Sequence, residues 1–256
     1  MKIIIVGPAH PYRGGLATFN ECMAQQFQKD GAQVSVETFT LQYPSFLFPG
    51  KTQYTTDAAP RDLLIRRSVH SVNPFNWIKV GRRLRKENAD LVLLRYWMPF
   101  MAPCMGTIGR MIRKNKKTKV VGLIDNMIPH EKRIGDNLLS RYFVNSMDAF
   151  VVLSDSVREE LRQFDQVKPC LVTPHPTYDH YGNLLTKAEA ANLLGLDASM
   201  RYILFFGFIR DYKGLDVLMR AYADKRMEQR NIRLIVAGEF YNNADKYHRL
   251  EEELGL

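Results

Sequence analysis

The sequence predicts an α/β protein built from open, doubly wound parallel sheets. Two observations predict it. Short, nearly continuous apolar runs recur along the chain, and segments with helical periodicity separate them. The alternation restarts after a stiff Pro174-His175-Pro176 turn, so it reads as two units in succession. Residues 1–172 read as a complete domain and 173–256 as an incomplete one. Length agrees, since 256 residues at about 150 per domain make roughly 1.7 domains.

Residues 2–7 form a β-branched run that ends in Gly, the pattern of a buried parallel strand. A loop with Pro8, Pro11 and Gly14-Gly15 follows. Leu16, Phe19, Met23 and Phe27 then share one helical face, which Gly31 stops. Residues 34–39 are the second strand, closing a β-loop-α-β opening of doubly wound type. Residues 42–60, rich in Pro, Gly and aromatics, read as an irregular insertion. Further strands fall at 91–94, 119–124 and 149–153, with helices between. Ser156-x-x-Glu159 and Thr186-x-x-Glu189 have the form of capping boxes. In the second unit, strands at 202–206 and 232–236 each run into a Gly, and helices are expected over 213–223 and 243–254. A parallel sheet with so few strands leaves a face and an edge uncovered, so the second domain reads as cut short.

Composition excludes several classes. The 46% apolar content supports a core and rules out global disorder. No apolar run approaches the ~18–20 residues of a membrane span, and the amino-terminal run is too short for a signal peptide. Cys22, Cys104 and Cys170 are odd in number and far apart, fitting neither a disulfide framework nor a zinc site. The expected compartment is the cytoplasm.

The net charge of +9 is localised. Residues 61–141 hold 18 Lys/Arg against 6 Asp/Glu, while the rest of the chain is slightly acidic. Arg82-Arg83-Leu84-Arg85-Lys86 and Arg113-Lys114-Asn115-Lys116-Lys117-Thr118-Lys119 dominate the excess. Phe75, Trp77, Tyr96, Trp97, Met98, Phe100, Met101 and Met105 lie near them in sequence and read as exposed. Cations beside large apolar groups suit an anionic membrane surface over residues 75–119, or a solvated face over core aromatics. Nucleic acid is the weakest of the three readings.

Three loops carry chemistry. Gly14-Gly15 opens the first helix, where bare N–H groups can approach a phosphate or a hydroxyl. The segment matches neither G-x-G-x-x-G nor a P-loop. Gly207-x-x-Arg210-x-x-Lys213-Gly214 follows a strand and opens a helix, placing two cations where open α/β sheets bind anions. A diphosphate suits that pair: an Arg fork for two oxygens and a Lys point charge. Asp125-Asn126-x-x-Pro129-His130-Glu131 follows another strand and forms a polar loop.

Taken in order with Val152-Leu153-Ser154-Asp155-Ser156-Val157, Thr173-Pro174-His175-Pro176 and Val236-Ala237-Gly238-Glu239, these loops resemble the retaining nucleotide-sugar glycosyltransferases of family 4. The resemblance covers essentially the whole chain. It implies the GT-B fold of two facing Rossmann-like domains, with transfer of a sugar to a lipid-linked or polysaccharide hydroxyl. It implies that Arg210 and Lys213, with Gly14 and Gly15, bind the donor diphosphate. Gly207, Gly238 and Glu239 would meet the nucleotide. Cations of the protein would replace a metal, since no D-x-D motif occurs; no cofactor is expected beyond the nucleotide-sugar co-substrate. Asp125 stands where many members carry a His near the reacting carbon, so Asp125 and His130 are the catalytic candidates. The family's Glu-x7-Glu segment is not found after Gly238. The sequence therefore reads as ending before that segment, and as inactive alone. The rivals are a nucleotide-sugar epimerase of the same fold and a non-catalytic basic docking module.

Overall fold

A computed structural model describes all residues except 46, 47, 49, 51, 130–132, 178–181 and 241–243. The chain divides into two compact units. Met1–Pro44 and Thr52–Pro176 form the first, Ser45–Lys51 and Thr177–Leu256 the second.

Seven parallel strands build the first unit. They are β1 (Lys2–Val6), β2 (Gln33–Leu41), β3 (Leu64–His70), β4 (Leu91–Tyr96), β5 (Lys119–Ile124), β6 (Ala149–Val152) and β7 (Cys170–Val172). Their order across the sheet is β3-β2-β1-β4-β5-β6-β7, and every pairing is parallel. The direction of winding reverses between β1 and β4. Doubly wound sheets open a ligand crevice at such a point, beyond the carboxyl ends of the strands. Connecting helices are α1 (Gly15–Lys29), α2 (Pro74–Lys86), α3 (Ala102–Arg113), α4 (Asp136–Val144) and α5 (Asp155–Arg162). Ile3, Ile4, Ile5 and Val6 are fully buried because both faces of a central parallel strand are covered. One core contains Ile4, Leu94, Ile108 and Phe143; the other contains Ile3, Ile5, Val34 and Val36.

Several expectations are corrected. The sequence pattern predicts no strand at β3 or β7. Both are edge strands: β3 carries Arg66 and Arg67 and so lacks the apolar continuity of a buried strand, and β7 is only three residues long. The buried face of α1 is Ala17, Asn20 and Ala24 with Phe19, whereas Leu16, Met23 and Phe27 flank it half-buried. The Ser156 capping box does not form. Ser154 caps α5 instead, accepting the Val157 N–H at 3.3 Å, and Ser156 lies inside the helix.

The aromatics beside the basic runs are mostly core. Tyr96, Met101 and Met105 are fully buried, and Trp77 is half-buried, donating its indole N–H to the His70 carbonyl at 2.7 Å. Phe75 alone of the eight is largely exposed, at 85%. The first basic run also splits by role. Arg83 is drawn inward by Glu37, a fully buried carboxylate of β2, at 2.6 and 3.0 Å, and also binds Glu87. A buried carboxylate needs such a partner, so Arg83 is structural.

The second unit contains α6 (Lys187–Leu194), β8 (Arg201–Phe206), α7 (Leu215–Tyr222), α8 (Lys225–Gln229), β9 (Ile232–Ala237) and α9 (Asp245–Leu254). Strands β8 and β9 pair in parallel. The Thr186–Glu189 capping box forms with both reciprocal bonds. Helix α7 starts at Leu215, because residues 211–213 form a 3-10 turn, and α9 is described from Asp245; Asn243 lies outside the described residues. Ile209, Leu215, Met219, Tyr247 and Leu250 form its core. Leu204, Phe206 and Val236 of the two strands are exposed.

Candidate functional site

The crevice of the first unit is floored by a buried ion pair. Arg95, near the end of β4, is 1% exposed. Its guanidinium grips the Asp125 carboxylate at the end of β5 with two bonds, one from Nε at 2.6 Å and one from Nη2. Nη1 donates to Asn20 Oδ1 of α1 at 3.2 Å, and the cation lies 4.2 Å from the centre of the Phe19 ring. Asn20 in turn donates to the Pro8 carbonyl at 2.8 Å. Four elements therefore converge on one guanidinium: the loop after β1, α1, β4 and β5. Gly7 makes the convergence possible. A Cβ there would stand 2.8 Å from both Arg95 Cβ and Asn20 Nδ2.

Burial pushes the Asp125 carboxyl above its ordinary value, while the Arg95 bonds and charge and the charge of His175 oppose that rise. The Phe19 ring also packs against His175, with centroids 5.0 Å apart. The linker imidazole thus reaches the same neighbourhood. Both Asp125 oxygens are engaged by the guanidinium, so this carboxylate is an anchor and does not offer a free base.

Above this floor the loop after β1 is pinned. Ala9 donates its N–H to Thr38 Oγ1 at 3.0 Å, and His10 donates its N–H to Glu21 Oε1 at 2.6 Å. Arg13 Nε donates to the Thr52 carbonyl at 2.8 Å. Gly14 caps α1 with φ 108°, a conformation that favours glycine, and no side chain caps the helix. Among the described residues, chain neighbours and the helix's own backbone aside, nothing lies within 4 Å of where a Gly14 Cβ would sit. Of the first-turn N–H groups of α1, that of Ala17 donates to the Gly14 carbonyl at 3.0 Å, and a helix N-terminus without a side-chain cap favours an anion. His130 and Glu131 lie outside the described residues.

In the second unit the loops after β8 and β9 meet directly. A Cβ on Gly238 would stand 2.0 Å from the Gly207 carbonyl oxygen, which only glycine permits. Gly207 donates its N–H to the Ala237 carbonyl and Ile209 to the Glu239 carbonyl, each at 2.9 Å. The Lys213 ammonium lies 3.6 Å from where a Gly207 Cβ would stand. Gly207, Lys213, Gly238 and Glu239, widely separated in sequence, are thus brought together. Lys213 is exposed, and its ammonium makes no hydrogen bond or ion pair among the described residues. Asp211 does not compete for the cations of its own turn. Lys246 at 3.0 Å and the Tyr247 hydroxyl at 3.1 Å hold it, and they lower its carboxyl below the ordinary value. Arg210 starts the turn, and its carbonyl accepts the Lys213 N–H at 3.0 Å. Among the described residues no three His, Cys, Asp or Glu side chains gather as metal ligands would.

Residues 13–178 match the model of Glycosyltransferase Family 4. The chain belongs to that family. A D-inositol 3-phosphate glycosyltransferase from Corynebacterium aurimucosum is 27% identical over 129 residues, covering 46% of this chain and 31% of the relative. The catalytic domain of starch synthase IV from Arabidopsis thaliana, bound to ADP and acarbose, is similar in fold. Its TM-score is 0.58 at 9% identity, over 98% of this chain and 71% of that one. UDP-GlcNAc 2-epimerase from Methanocaldococcus jannaschii also has a TM-score of 0.58, at 10% identity over 100% and 69%. An alpha-glucosyltransferase in complex with UDP gives 0.58 at 11% identity, over 99% and 62%. These likenesses place this family 4 member among proteins of the GT-B fold class. The match spans about a third of the curated relative's length.

Proposed function

We propose that this family 4 member contributes to transfer of a sugar from a nucleotide-sugar donor to a hydroxyl acceptor, with retention at the anomeric carbon. The observation that carries the reading is the junction of Gly207 and Gly238 with the Lys213 ammonium poised over it. Side-chain-free backbone lets a diphosphate come close, and the cation offsets its charge. Breaking the anomeric C–O bond leaves an oxocarbenium-like sugar and a departing diphosphate, whose growing negative charge needs this stabilisation. Arg210 adds a second, forked donor on the same turn. Gly14 and Gly15 leave the α1 N-terminus without a side-chain cap, which suits a phosphate or an incoming hydroxyl. Asp125 acts through position: fixed by Arg95, it sets the crevice floor near the reacting carbon, and protein cations serve in place of a metal. The acceptor we infer is lipid-linked or a polysaccharide.

The named relative is a glycosyltransferase and the structural neighbours include epimerases, so the test must separate two chemistries. The protein is incubated with UDP-, GDP- and ADP-sugars, with and without lipid-linked and oligosaccharide acceptors. Transfer predicts nucleotide release that depends on acceptor, and an α-linked product from an α-linked donor. A changed sugar with no acceptor requirement would establish epimerisation instead.

A further inference from the structure

We propose that the outer face of α2, with the loop after α3 beside it, docks this protein on an anionic lipid bilayer. The surface stands on its own charge and shape. Its use, bringing the site to a lipid-linked acceptor, rests on the transfer reaction proposed above.

The face is defined by helical spacing. Val80, Gly81 and Leu84 turn inward and are buried. Phe75, Lys79, Arg82 and Lys86 follow one another at intervals of four, three and four, a single stripe on the opposite side. All four are exposed, and with Ile78 and Arg83 they line a shallow groove of about 560 Å³. Lys79, Arg82 and Lys86 make no ion pair among the described residues. Glu87, the acidic group at the end of this helix, is already engaged by Arg83, Arg66 and Lys2. The positive field of the stripe is therefore left without a local counter-charge.

The field continues past the helix. Asn115 Nδ2 donates to the Arg85 carbonyl at 3.2 Å, which fastens the loop after α3 to the end of α2. Lys114, Lys116, Lys117 and Lys119 of this segment are exposed. Arg113 and Arg110 are not part of the free charge, since Arg113 binds Asp148 and Arg110 binds Ser146.

What selects a bilayer over other polyanions is the apolar end of the stripe. Phe75 is 85% exposed and Val72, one turn before it, 44% exposed. A phosphate backbone has no place to bury a phenyl ring, whereas the headgroup boundary of a bilayer does. The inner face of α2 is committed to the core, so the helix cannot sink into the membrane. Attachment therefore combines long-range attraction with one anchor, and must be reversible and salt-sensitive.

Vesicle flotation tests this. The probes are vesicles of pure phosphatidylcholine and of phosphatidylcholine with 30% phosphatidylglycerol, at about 0.1 M and about 0.5 M salt. The wild type should float with anionic vesicles at low salt, and neither with neutral vesicles nor at high salt. Each cation near such a surface is worth roughly five-fold in partitioning, so Lys79→Gln/Arg82→Gln/Lys86→Gln should bind on the order of 100-fold more weakly. Phe75→Ser should weaken binding further without changing its salt dependence. Circular dichroism and Tm confirm that these surface variants fold. Equal binding to neutral vesicles, or a triple variant that binds like wild type, would overturn the proposal. So would a duplex DNA fragment that displaces the vesicles at physiological salt. Lys213→Ala separates the two readings: it should leave vesicle binding intact, and the triple variant should leave nucleotide binding intact. A wild type that binds nucleotide but does not float with anionic vesicles at low salt would overturn docking alone.

Discussion

Removing the Asp125 carboxylate should destabilise the first unit more than any surface change. Arg95 is 1% exposed, and among the described residues Asp125 supplies its only two bonds to a carboxylate. In Asp125→Ala the guanidinium remains buried with the Asn20 amide and the face of the Phe19 ring against it. Breaking one partner of a buried pair costs about 3–5 kcal/mol, because the other charge stays uncompensated. At roughly 2–4 °C per kcal/mol for a domain of 150–250 residues, Tm should fall by about 6–20 °C. Asp125→Asn keeps the shape and one acceptor, so its loss should be intermediate. Arg95→Met/Asp125→Leu removes both charges together and should be more stable than Asp125→Ala, a non-additivity that a purely steric role would not produce. Differential scanning calorimetry at pH 7 reads all four proteins. An Asp125→Ala transition within ~2 °C of wild type would refute the claim that this pair holds the crevice floor.

Two further outcomes follow from the same structure. Gly7→Ala places a Cβ 2.8 Å from Arg95 Cβ, which cannot swing aside as a side-chain tip would. Its cost should be about 1–3 kcal/mol in urea unfolding, and an unchanged midpoint would contradict the close packing. Asp211 has a carboxyl held below its ordinary value, first by the Lys246 bond and then by Tyr247. Its contribution to stability is therefore full above the ordinary carboxylate value, near ~4, and lost as pH falls through the lower folded value. The Tm gap between wild type and Asp211→Asn should be present at pH 7 and shrink toward pH 3; a gap independent of pH would show that charge is not its source.

Much of the architecture was legible because central parallel strands are apolar almost throughout. Strands β1, β2, β4, β5 and β6, and both strands of the second unit, were placed within a few residues of where they stand. What escaped was polar. Strand β3 hides behind two arginines at a sheet edge. The apolar run of β4 stops at Leu94, one residue before Arg95, so apolar continuity does not mark the central cation of the first crevice. A signal was present: an Arg inside an apolar strand demands a carboxylate, and Asp125 directly follows the neighbouring strand, two residues beyond Leu123, the register partner of Arg95. Asn20 escaped for the same reason, as a polar residue on the buried face of a helix read from its apolar spacing. His175 was read as a turn former, and only the fold brings its ring to Phe19. The basic run divided for a reason invisible in one dimension, since only contact with buried Glu37 distinguishes Arg83 from Arg82.

The claim that the Gly207–Gly238 junction and Lys213 bind the donor diphosphate is tested most directly by calorimetric titration. UDP, ADP and GDP are titrated in turn into the wild type and into Lys213→Ala. A hydrogen bond to a charged group contributes about 1.5–3 kcal/mol, so the account predicts that at least one nucleoside diphosphate binds and that Lys213→Ala weakens it roughly 10- to 100-fold with Tm unchanged. Binding by Lys213→Ala as tight as by the wild type would contradict it.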